Sequence, residues 1–62
     1  MQNNSLGDII RSLRKKSHLS QEQLADGICS PVSISRIENG MQMPSGTVLE
    51  ALLSRLGTST YQ

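Results

Sequence analysis

The sequence predicts an all-α fold, a compact bundle of four to five short helices. Three observations carry that prediction. Apolar residues recur at three- and four-residue spacing instead of alternating. A Ser stands before each periodic run, where its hydroxyl can cap a helix. The apolar set is aliphatic: eight Leu, five Ile, two Val and three Met, with no Phe or Trp. At 62 residues a chain buries only about 60% of its unfolded surface, enough for one small core. The expectation is a single domain over residues 1–62 with its core at about 5–57.

The elements follow in order. Ser5 caps a first helix in which Leu6, Ile9, Ile10 and Leu13 share one face, running to about Lys16. Ser20, followed three residues later by Gln23, is a capping box. Leu19 precedes that cap and Leu24 is placed to staple against it. The spacing predicts a second helix from Gln21 to about Ile28, with Leu24, Ala25 and Ile28 inward. Ser30 caps a third helix, and Pro31 occupies its first position, where the missing N–H is harmless and the fixed φ helps. Its expected span is about 31–39, ended by Gly40. The loop around Met43-Pro44 leads to Ser45, which caps a fourth helix bearing Val48, Leu49, Leu52, Leu53 and Leu56 before Gly57. Tyr61 is a candidate start for a fifth.

Several function classes are excluded. One Cys and one His cannot complete a zinc site, and a lone thiol has no disulfide partner. Cys29 therefore suits a reducing, cytoplasmic setting and reads as a small core residue. No apolar run approaches a membrane span, and the N-terminus lacks a signal-peptide pattern. There is no glycine-rich phosphate loop, and His18 has no evident paired acid, so the sequence predicts no enzyme and no cofactor. His18 reads as a solvated or capping residue in a connection. Met1, Met41 and Met43 read as an initiator and gap-fillers. The net charge is only +1, but Arg11, Arg14, Lys15 and Lys16 cluster in six residues. That cluster also suits the C-terminal end of a helix dipole.

The segment "GICSPVSISRIENG" carries the functional expectation. A joint of one or two residues around Cys29 would make helices two and three cross steeply as a helix-turn-helix. With Ile34 and Ile37 inward, Pro31, Val32, Ser35, Arg36 and Asn39 face out. Arg36 is suited to guanine O6 and N7 or to a phosphate, and Val32 to a thymine methyl. Ser30, Ser33 and Ser35 could serve base edges or backbone oxygens. Ser20 and Gln21, at the start of helix two, are expected against phosphates, and Asn39 against the opposite strand.

With these residues in place, "LRKKSHLSQEQLA", "SRIENG" and the closing Leu-rich helix resemble the xenobiotic-response-element, Cro and phage-repressor-like class of helix-turn-helix domains. The resemblance covers Leu6 to Gly57. It implies a repressor-like fold, duplex DNA as partner, and an ion pair between Arg14 and Glu38 that turns this acid away from phosphates. A homodimer is expected because one such module contacts too few bases for useful specificity. The interval from Leu24 to Glu38 is one residue tighter than is usual in that class. In this it is similar to peptide-sensing regulators of the Rgg and PlcR kind. That similarity implies a DNA-binding domain without its C-terminal sensor or dimerisation region, and a peptide effector acting on that absent part. The alternative is a helical protein-interaction module, or antitoxin-like partner, that keeps the fold without DNA readout. Its support is the weak net charge and the poor hydrogen-bonding capacity of Pro31 and Val32.

Overall fold

A computed structural model describes residues 5–57. Among these the chain forms four helices and no strand: α1 Leu6–Lys16, α2 Gln21–Ala25, α3 Pro31–Glu38 and α4 Gly46–Arg55. Met1 and the candidate helix at Tyr61 lie outside the described residues.

Each helix starts at a serine. The hydroxyls of Ser5, Ser20, Ser30 and Ser45 accept from the backbone N–H three residues on, at Asp8, Gln23, Ser33 and Val48. Each satisfies one of the four amides a helix start leaves without a partner. At Ser20 the box is closed in both directions, since Gln23 Oε1 accepts from the Ser20 N–H at 2.8 Å.

The stops are equally local. α1 ends when His18 turns to φ 59°, with its N–H donated to Lys15 O and that of Leu19 to Arg14 O. Those two bonds make a Schellman motif, unusual here because its left-handed residue is not glycine. The same pair of bonds closes α3, from Gly40 N to Ile37 O and from Met41 N to Arg36 O.

α2 departs from expectation. It stops at Ala25 rather than near Ile28, and residues 26–30 form the connection to α3, longer than a joint of one or two residues. The cause is a type II turn: Asp26 has φ −53°, ψ 121° and Gly27 has φ 78°, and Ile28 N donates to Ala25 O at 2.8 Å. Ile28 and Cys29 still pack on the core, from a turn rather than a helix.

The core is Ile10 from α1, Leu24 and Ala25 from α2, Ile34 and Ile37 from α3, and Leu52 and Leu56 from the end of α4. Val48 and Leu49 pack against it, whereas Leu53 stays partly exposed. Met41 and Met43 fill no gap, being 77% exposed each. α3 lies at the centre, packed on both α1 and α2, with α4 against α2.

One close approach sets how α1 meets α3. Gly7 is buried, and a Cβ there would strike the Ile37 carbonyl oxygen and sit 2.7 Å from that of Glu38. Ile10, Arg11 and Arg14 share this face of α1 at helical spacing, so the contact brings both arginines over the end of α3. Gly7→Ala should destabilise the domain by about 1–3 kcal/mol through overpacking. This is expected even though alanine favours a helix by up to about 1 kcal/mol. Thermal unfolding decides it: an unchanged or raised Tm would mean the α1–α3 contact is looser than this geometry.

Candidate nucleic-acid interface

The site is assembled around a buried acid. Glu38, in the last turn of α3, is 4% exposed. Arg14 approaches it sideways, donating from Nε to Oε2 at 2.6 Å and from Nη2 to Oε1 at 3.2 Å. The remaining Arg14 nitrogen, Nη1, donates to Leu19 O at 2.9 Å and so ties the α1–α2 connection into the same unit. Gln21 Nε2 adds a bond to Oε1 at 3.1 Å, and Arg11 Nε lies 3.6 Å from Oε1. Burial pushes the Glu38 carboxyl up. The hydrogen bonds from Arg14 and Gln21 and the charges of Arg14 and Arg11 outweigh it and hold the group below the ordinary glutamate value.

This hub leaves α3 without an exposed acid. Pro31, Val32, Arg36 and Asn39 are exposed, and Ser33 and Ser35 are partly so. Val32 is 56% exposed, so its methyl groups are open to a partner. Ser30 Oγ accepts from Ser33 N and donates to Ser33 Oγ at 3.1 Å, so the Ser33 hydroxyl proton is the one left for another acceptor. Pro31, Val32, Ser35, Arg36 and Asn39 thus lie along one helix flanked by the Ser30–Ser33 cap. Ser20 and Gln21 start the neighbouring helix, but their side chains already have work: Ser20 caps α2 and Gln21 holds Glu38.

Three residues outside the sequence expectation hold this surface in place. Gly7 permits the close approach of α1. Arg11 donates from Nη2 to Glu38 O at 3.2 Å and to Asn39 Oδ1 at 3.0 Å. Arg55 in α4 reaches the carbonyls of Gln23 and Asp26, at 3.1 and 2.6 Å, and so covers oxygens at the end of α2 where no basic residue stands. The sequence signal for Arg11 was its spacing: it precedes Arg14 by three and shares its face. Arg55 had no comparable signal, because its partners are backbone oxygens of another helix.

A helix-turn-helix family model matches residues 10–62. The chain belongs to the helix-turn-helix family. It is 38% identical over 55 residues to uncharacterized HTH-type transcriptional regulators from two strains of Mycobacterium tuberculosis, covering 86% of this chain and 39% of each relative. In structure it is similar to Bacillus thuringiensis PlcR, solved in complex with the peptide PapR7 and DNA. That match has a TM-score of 0.86 and 33% identity, over 92% of this chain and 20% of that one. The chain therefore spans well under half the length of the relatives it matches. The similarity to PlcR agrees with the one-residue tightening between Leu24 and Glu38. Among the described residues, no helix of this helix-turn-helix domain is long and apolar enough to cross a membrane.

The depressed Glu38 ionisation makes stability pH-dependent with a definite sign. A carboxylate whose folded-state value lies below its unfolded value stabilises the fold fully above the ordinary glutamate value of 4.5. That contribution fades as pH falls from there through the folded-state value. Glu38→Ala should lower stability at neutral pH by up to about 3–5 kcal/mol, the range for stranding one partner of a buried pair. The same variant should lose part of the acid sensitivity. Thermal melts from neutral pH to pH 3 check both, and an acid-unfolding profile identical to the parent's would remove Glu38 from that role.

Proposed function

We propose that this chain is the duplex-DNA-reading domain of a transcriptional regulator, with α3 in the major groove. The observation that carries the reading is the acid-free outer face of α3. Its one acid, Glu38, is buried and neutralised by Arg14, so no acidic side chain on that face opposes phosphates. The assignments follow from exposure and chemistry. Arg36 donates to a guanine edge, Val32 meets a thymine methyl, and Ser33 and Ser35 serve base edges or phosphate oxygens. Asn39 meets the backbone at the far end. The free amides at the start of α2, near Ser20 and Gln21, meet phosphates on the near side. Family membership and the DNA in the PlcR complex support this reading.

One such module touches few base pairs, so the regulator acts as a homodimer on paired half-sites about one helical turn apart. It works in the cytoplasm. A peptide effector, of the sort named in the PlcR complex, would act on a region outside these residues. The second reading is a protein-interaction module, favoured by the exposed apolar groups Val32, Met41 and Met43.

Selection from a random duplex pool at low salt separates the two readings. The expected result is an enriched inverted repeat, with log affinity falling linearly with log salt at about 0.9 per phosphate contacted. Arg36→Ala should relax preference at one base pair per half-site, a loss of about 1–3 kcal/mol. No enrichment from either the chain or a tethered pair of copies would shift the assignment to the interaction module.

A further inference from the structure

The geometry points to Arg11 as a positioning residue that aims the Asn39 side-chain amide as a hydrogen-bond donor toward a nucleic-acid phosphate. Arg11 donates to Asn39 Oδ1 at 3.0 Å. A guanidinium has donors and no acceptor, so only the oxygen end of the amide can face it. The amide is planar, and fixing its oxygen fixes its nitrogen: Nδ2, with two N–H groups, is held on the side away from Arg11. Asn39 is exposed, and among the described residues Nδ2 donates to no other group. What results is an oriented donor at the surface rather than an amide free to flip.

The surrounding charge explains why the position needs help. Asn39 sits at the C-terminal end of α3, where the helix dipole is negative and carbonyl oxygens lack helical partners. An approaching phosphate would be repelled there. Arg11 also donates to the Glu38 carbonyl at 3.2 Å and lies 3.6 Å from the Glu38 carboxylate, so one guanidinium offsets the dipole end, the buried acid and a free carbonyl together. Its side chain is still 39% exposed, which leaves its positive potential felt at the surface. Arg14 cannot do this, being 12% exposed and committed on every face to Glu38 and Leu19. The two helix-one arginines thus divide the work: Arg14 holds the fold and Arg11 makes its edge receptive to an anion.

The role toward phosphate rests on the duplex-binding reading above, whereas the ordering of Asn39 does not, and the test separates them. In the 15N-labelled chain, the Asn39 side-chain NH2 should be rigid in the parent and mobile in Arg11→Met, with the α3 backbone unchanged. Equal order in both proteins overturns the assignment whether or not DNA binds. Fluorescence anisotropy with a short mixed-sequence duplex at low salt supplies the second arm. Arg11→Met and Asn39→Ala should each weaken binding about three- to tenfold, the worth of one hydrogen bond. The double variant should be no weaker than the weaker single one. Asn39→Asp, which keeps the acceptor for Arg11 and removes the donor, should fold normally and bind at least as poorly as Asn39→Ala. Additive losses would mean Arg11 meets the phosphate itself, and parent-like binding by Asn39→Asp would mean Nδ2 donates to nothing; either result overturns the proposal. A parent chain that retains no duplex removes the DNA-binding reading instead, and the amide measurement alone then decides what Arg11 does.

Discussion

The Glu38 carboxylate is the constraint on which the rest of the domain depends. It sits on α3 and collects donors from α1, through Arg14 and Arg11, and from α2, through Gln21. One buried anion therefore fixes the mutual orientation of three helices whose apolar contacts alone would tolerate sliding. A buried pair adds little net stability over a well-packed apolar substitute, because both ions lose water. Its value here is directional. Aliphatic side chains such as Leu24 and Ile34 pack in many registers, whereas a bidentate arginine on a carboxylate accepts only one. No buried side-chain nitrogen or oxygen among the described residues lacks a partner, so the network is closed and its geometry is well determined.

That closure has a consequence at the surface. By drawing its one acid inward, α3 presents Pro31, Val32, Arg36 and Asn39 to solvent with no opposing charge. The same residue that organises the interior also makes the exterior compatible with a polyanion. A net charge of +1 is therefore a poor guide to partner. What matters is where the charges lie, and two of the six cations are spent wholly or partly on an internal acid.

The smallness of the domain is handled by local devices rather than by a large core. Four serine caps, the two-way box at Ser20 and the paired turn bonds after α1 and α3 satisfy the helix ends within a few residues of chain. Arg55 does the same for α2 from a distance, using a side chain where the local sequence offers none. Gly7 contributes by absence: lacking a Cβ, it lets two helix backbones approach closely enough for α1 to reach the Glu38 hub.

The serine caps, Pro31 and the spacing of Leu and Ile determined by themselves the four helices among the described residues, with Ile34 and Ile37 inward, because those signals act within one turn of helix. The Arg-to-Glu partnership was also legible, but through resemblance, since nothing in local spacing links residues 24 positions apart. The end of α2 was not. Its apolar pattern continues through Ile28, and the type II turn at Asp26-Gly27 interrupts it without removing those residues from the core. Only the tertiary structure decided what Gly7, Arg11, Gln21 and Arg55 do. Each acts across helices, on backbone oxygens or on an acid far away in the chain, and a one-dimensional pattern carries no record of which face meets which.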